Sequence, residues 1–162
     1  MSYGKKIEWT EALSMGIGAI DDQHRTLIDL CNLLIEVVDN GDQEGVSESV
    51  LMVGEEYARG HLHFEEEMLR RAGFPEEESH AAGHRRFEVK FEEFAARYEV
   101  EPEGFDMKEV ADFVLDWLYG HILKEDRKYA DWFAERGGDV DLPDIGESLL
   151  GSDFGAVGDK QQ

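Results

Sequence analysis

The chain has 162 residues, enough for one domain that buries roughly 70% of its unfolded surface and folds without a covalent staple. Sixteen Lys+Arg against 38 Asp+Glu give a net charge of −22, which repels phosphate backbones and anionic lipid and so excludes general nucleic-acid or membrane-surface binding. No apolar run approaches the ~20 residues that span a bilayer. The first residues lack the apolar stretch of a signal peptide, and the single cysteine, Cys31, has no partner for an internal disulfide. A cytoplasmic protein is the expectation.

Residues 1–20 hold Ile7, Trp9, Leu13, Met15 and Ile17 between glycines and predict an ordered arm lying on the helices that follow. Apolar positions then recur every three or four residues, the period of a helix with one buried face. The first such segment runs from about Asp21 to Asp39 and aligns Ile20, His24, Leu27, Ile28, Cys31, Leu34, Ile35 and Val38, ending at Asn40-Gly41-Asp42. The second, from about Val46 to Ala72, aligns Val50, Val53, Tyr57, His61, Phe64, Glu65 and Met68 and stops at Gly73-Phe74-Pro75. The third, from about Glu76 to Tyr98, aligns His80, His84, Phe87, Phe91, Phe94 and Tyr98. The fourth, from about Asp106 to Glu135, aligns Val110, Phe113, Val114, Trp117, Leu118 and His121, then Tyr129 and Phe133. With no strand-like alternation, this pattern predicts an all-α fold: an antiparallel up-down four-helix bundle over residues 1–136, including the arm. Residues 137–162 carry six glycines and six acids against one Lys160 and predict a flexible acidic tail. Its apolar spots are Ile145, Leu149, Leu150 and Phe154.

The histidines carry the chemical information. Of six, five (His24, His61, His80, His84 and His121) fall on these apolar faces, and every helix contributes at least one. A buried imidazole without a partner costs a few kcal/mol. Any one of the five alone reads better as a satisfied core residue than as a ligand. Five converging from four helices point to metal. Carboxylates accompany them. His61 and Glu65 share a face at spacing four, and His80 and His84 repeat that spacing. His121 and Asp126 are five apart, ~140° of rotation on a regular helix. Either Asp126 reaches around from the flank or a π-bulge restores alignment, so local irregularity is expected between them. Five imidazoles and two carboxylates are too many for one zinc and too nitrogen-rich for calcium or magnesium. Two iron ions bridged by both carboxylates use them all.

In their order and spacing these residues resemble the hemerythrins, specifically the bacterial hemerythrin-like proteins, over roughly residues 7 to 133. The resemblance rests on Trp9, Gly16-Ile17 and Ile20-Asp21-Asp22-Gln23-His24. It continues through His61-x-x-x-Glu65, Met68-Leu69, Gly73-Phe74-Pro75 and His80-x-x-x-His84 with Phe87, and ends on Trp117-Leu118-x-x-His121-Ile122-x-x-x-Asp126-x-x-Tyr129. It implies that His80, His84 and His121 hold one iron, and that His24 and His61 hold the other beside a vacant position. Glu65 and Asp126 would bridge the two ions (Fe2+/Fe3+) together with an oxo or hydroxo group, and dioxygen would bind reversibly at the vacancy. One departure concerns the second helix. The family usually places Phe directly after the histidine, but here Leu62 follows His61 and Phe64 follows His63. The competing pair His63 and Glu67 lies ~200° around the helix, and register from Gly73 and His80 assigns His63 to the surface.

The ligand chemistry favours a carrier, store or sensor of dioxygen over an enzyme. Diiron oxygenases and ferritin-like proteins are richer in carboxylates, with two Glu-x-x-His motifs; here only Glu77 and His80 have that spacing. Leu118, Trp117, Ile122 and Leu27 are the expected apolar walls of the ligand pocket, with Leu118 nearest dioxygen by resemblance. Alternatives are a diiron enzyme acting on peroxide or nitric oxide, and a signalling module sensing oxygen or iron. Cys31 is expected to be buried and inert, and the run 65–67 to combine one ligand, Glu65, with a solvated face.

Overall fold

A computed structural model describes residues 3–41 and 45–144. The helices are α1 (Gly18–Asn40), α2 (Val46–Ala72), α3 (Glu77–Val100), α4 (Met107–Gly120) and α5 (Arg127–Ala134). The six residues His121–Asp126 between α4 and α5 form a π-helical turn, so α4 and α5 are two parts of one fourth rod. The described residues contain no strand. α1 packs on α2 and α4, α2 on α3, and α3 on α4, closing an up-down four-helix bundle. No described helix is long and apolar enough to cross a membrane.

The apolar stripes become the core. Ile20, Leu62, Met68, Leu69, Phe94, Val110 and Tyr129 are almost wholly removed from solvent. α2 stops at Gly73, whose φ of 72° is left-handed. There the Phe74 amide donates to the Leu69 carbonyl at 3.1 Å, and Phe74 is buried, the glycine-ended helix stop with its apolar contact. α4 begins at Asp106, whose carboxylate accepts from the Lys108 amide at 2.9 Å, an ordinary N-cap.

α1 begins at Gly18, three residues before the position expected from Asp21. The reason is that Asp21 is not the cap. Its carboxylate accepts from the Met15 amide at 2.7 Å and from Ser14 Oγ at 2.6 Å, so it clamps the preceding segment onto the helix. That segment buries Leu13, Met15 and Ile17. Further out, the Ile7 amide and carbonyl pair with the Asn32 side chain at 2.8 and 3.0 Å, and Arg25 stacks over Trp9. After the bundle, Val140 packs against the core, Pro143 is buried, and the Leu142 carbonyl accepts from Arg71. Residues 140–143 thus lie along the bundle. Ile145, Leu149, Leu150 and Phe154 lie outside the described residues.

Candidate metal centre

His24 sits two turns into α1. His61 and Glu65 sit in the second half of α2, His80 and His84 in the first turns of α3, and His121 and Asp126 at the two ends of the π-turn. Antiparallel packing brings these levels together inside the bundle. His24, Glu65, His84 and Asp126 are 0% exposed, His61 1%, and His80 and His121 6%. The π-turn supplies what the α-helical period denies. Its wider loop returns Asp126 beneath His121, with Nε2 and Oδ1 2.8 Å apart. A single extra residue per turn does this without breaking the rod, as π-bulges do at functional sites.

The seven side chains form two groups of imidazoles spanned by two carboxylates. Two sets of donors lie close enough to hold an ion: Glu65 with His80, His84 and His121, and Glu65 with His24 and His61. Glu65 turns Oε1 to His80 Nε2 at 3.0 Å and Oε2 to His61 Nε2 at 2.8 Å. Asp126 turns Oδ1 to His121 Nε2 at 2.8 Å and His80 Nε2 at 3.4 Å, and Oδ2 to His24 Nε2 at 3.1 Å. Each carboxylate therefore gives one oxygen to the three-histidine side and the other to the two-histidine side.

These contacts are close but poorly satisfied as hydrogen bonds. His24 Nε2, His61 Nε2, Glu65 Oε2 and both oxygens of Asp126 are buried without a hydrogen-bond partner. His84 Nε2 and His121 Nε2 face each other at 3.1 Å. Nitrogen and oxygen donors converging at this spacing with their hydrogen-bond geometry unmet are what a cation resolves, so the donor set fits metal.

The charges are tuned accordingly. Burial pushes Glu65 up, but His61 and His80 outweigh it and hold its carboxyl well below the usual range. Burial and the neighbouring Glu65 push Asp126 up, and His121 and His24 reverse this to a net lowering. Burial lowers His61 overall. For His24 and His80 burial also lowers, but Asp126 and Glu65 respectively outweigh it and raise both. Anionic carboxylates at the heart of the bundle are thus maintained by imidazoles, and by a cation when one binds.

Three further residues support the site in roles that the sequence did not predict. His61 Nδ1 lies 2.7 Å from Gln23 Oε1, so the ring donates there and leaves Nε2 free as an acceptor. His84 Nδ1 lies 2.9 Å from Glu66 Oε1, which Arg85 also holds at 2.9 Å. Partners of this kind fix ring orientation and tautomer. Glu66, expected on a solvated face, is therefore partly a support of the site. Tyr129 is wholly buried beside the carboxylates; burial, Asp126 and Glu65 hold its hydroxyl well above 10. The usable signals were a polar Gln23 adjacent to His24 and the acidic neighbour of Glu65. His63 is exposed and reaches only Glu88 at 3.6 Å.

An internal cavity of about 40 Å³ adjoins the two-histidine side. His61 lines it together with Leu27, Leu118, Trp117, Cys31 and other apolar groups. It is large enough for a small molecule, since a site for one water needs about 10–15 Å³. Ile122, expected on this wall, is buried on the π-turn and is not among the lining residues. Cys31 is buried, and burial pushes its thiol up to about 12.

The chain is similar to known proteins. A family profile described as "Hemerythrin HHE cation binding domain" matches residues 15–133. The chain is 32% identical over 123 residues to a bacteriohemerythrin of Stenotrophomonas maltophilia (strain R551-3), covering 76% of this chain and 78% of that protein. It is 30% identical over 126 residues to a bacteriohemerythrin of Clostridium acetobutylicum (strain ATCC 824), covering 76% of this chain and 98% of that protein. Among solved structures, one described as wild-type hemerythrin superposes with a TM-score of 0.68 at 27% identity, covering 77% of this chain and 95% of that one. Another, of a hemerythrin in which one leucine is replaced by tyrosine, gives 0.70 at 25% identity, covering 77% and 95%. With its buried histidine and carboxylate cluster inside a four-helix bundle, the chain belongs to the hemerythrin family.

Proposed function

We propose that the centre holds two iron ions and binds dioxygen reversibly, as a carrier, store or sensor. The observation that carries this reading is the division of each carboxylate's two oxygens between the two groups of imidazoles. His80, His84 and His121 would hold one ion, His24 and His61 the other, and Glu65 and Asp126 would span them. The ion held by His24 and His61 would have fewer protein donors, and that side of the centre adjoins the apolar cavity through His61. When bound in the ferrous state, the irons supply the electrons that dioxygen binding requires.

The chain's own residues set the conditions. Leu27, Leu118 and Trp117 keep the cavity apolar, so water is poorly held there. Among the described residues lining it, none is a carboxylic acid or a lysine that could deliver a proton. Gln23 and Glu66 hold the rings of His61 and His84 by Nδ1, so less reorganisation accompanies a change of charge at Nε2. An imidazole-rich set stabilises the ferrous state better than a carboxylate-rich one does, which favours release of dioxygen intact.

Protein reconstituted anaerobically with ferrous iron, at two ions per chain, tests this. On exposure to air it should gain visible absorption, and lose it when dioxygen is removed. Failure to retain iron, a one-way optical change, or fast turnover of peroxide or nitric oxide would overturn the reading.

A further inference from the structure

Trp117 stands between two spaces. On one side it lines the internal cavity; on the other its half-exposed edge forms the floor of a surface recess of about 350 Å³ between α3 and α4. Phe113 and His121 also line this recess. The indole stacks on the His121 ring with centroids 4.3 Å apart and planes 12° from parallel. His121 Nε2 in turn meets His84 Nε2 and Asp126 at the heart of the centre. A continuous aromatic contact therefore joins solvent to the three-histidine side.

The rim of the recess is chemically distinct. Arg86 and Lys124 flank it, both exposed. Most basic side chains of the bundle are paired with acids, such as Arg85 with Glu66 and Glu88, Arg97 with Glu109, and Lys90 with Glu93. Neither Arg86 nor Lys124 has a carboxylate partner among the described residues. Of the two acids on the lining, Glu125 is engaged by Lys128 at 2.9 Å, and Asp116 is exposed. Gly83 adds no side chain to the floor, and a Cβ there would meet only the Arg86 guanidinium. On a chain with a net charge of −22, two unpaired cations beside partly buried aromatic rings are a local exception. The combination suits a planar ring bearing a phosphate: the ring against the edges of Trp117 and Phe113, the phosphate on Arg86 and Lys124. The volume lies in the range of small-molecule sites, about 300–1,000 Å³.

We propose that this recess is an electron-entry site that binds reduced flavin mononucleotide. The role in reduction rests on the diiron reading above; the binding itself does not. The bound flavin gives up two electrons and two protons. The electrons pass through Trp117 and His121, one to each ferric ion of an oxidised centre. The protons leave to solvent, and oxidised flavin departs. Such a route would return to service any protein whose irons had been oxidised without a bound ligand.

Two experiments on the full chain test this. In the first, flavin mononucleotide is titrated with metal-free protein while flavin fluorescence is followed. Saturable quenching is expected, weakened at least tenfold in the double variant Arg86→Glu/Lys124→Glu. It should be unchanged in Lys6→Glu/Lys90→Glu, which alters net charge equally on other faces. Absence of saturable quenching, or equal weakening in both double variants, would refute the site whatever metal the protein binds. In the second, iron-loaded oxidised protein is mixed anaerobically with reduced flavin mononucleotide or with the cationic methyl viologen radical. The Arg86→Glu/Lys124→Glu variant should be reduced at least tenfold more slowly by flavin and no more slowly by viologen. Equal rates with flavin, or equal slowing with both reductants, would overturn electron entry at this recess. Iron content and reversible oxygenation, measured on the same samples, report separately on the diiron reading.

Discussion

Removing metal should destabilise this protein by an amount that follows from its buried donors. Five candidate ligand atoms, His24 Nε2, His61 Nε2, Glu65 Oε2 and both Asp126 carboxylate oxygens, are buried without a hydrogen-bond partner. An unsatisfied buried polar group costs about 1–3 kcal/mol. The lower end applies here, because water entering a loosened centre recovers part of the loss. At about 1 kcal/mol per atom the five amount to roughly 5 kcal/mol that a bound metal pair can return. For a chain of this length each kcal/mol moves Tm by about 2–4 °C, so metal-loaded protein should melt on the order of 10–20 °C above metal-free protein. The assay is calorimetry on chelator-treated protein and on the same protein given ferrous iron anaerobically. The shift should grow with free metal concentration, as expected for a ligand that binds only the folded state. Melting temperatures equal within a few degrees would refute the reasoning, since the donors would then be satisfied without metal.

Other expectations concern single residues and pH. Gln23→Ala and Glu66→Ala should each weaken iron retention about 10- to 100-fold, the usual effect of removing a partner of a ligating histidine, as read by metal analysis after dialysis against a graded chelator. His63→Ala should leave metal content unchanged and stability within about 0.5 kcal/mol, since the side chain is exposed. Leu118→Ala should cost about 2–5 kcal/mol in denaturant unfolding and enlarge the apolar cavity beside His61; speeding autoxidation of the oxygenated form is the accompanying outcome. In metal-free protein, burial lowers His24 and His80 but Asp126 and Glu65 raise them above 6.5 overall. Their contribution to stability is full below 6.5 and lost as pH rises through the raised values. His61, lowered by burial, acts in the opposite sense but alone. Metal-free protein should therefore melt lower at pH 8 than at pH 6, while the increment from iron widens, because metal needs unprotonated imidazoles.

What the sequence alone determined was periodic. Apolar residues at helical spacing specify four rods, because a helix with one greasy face has few ways to hide it. Five histidines on those faces point to a metal site, because so many imidazoles are costly to bury otherwise. Even the irregularity between His121 and Asp126 was legible, since a spacing of five conflicts with the α-helical turn and the π-turn observed there resolves the conflict. What only the tertiary structure decided depends on which side chains meet across helices. Gln23 and Glu66 look like ordinary surface-compatible residues until His61 and His84 are brought against them from 38 and 18 residues away. Asp21 reads as a helix start until its carboxylate closes on Met15 and Ser14. Ile122 reads as a pocket wall until the cavity is seen to be lined without it. Local pattern fixes the face a residue occupies; hydrogen bonds and cavities between elements depend on distances that no one segment contains.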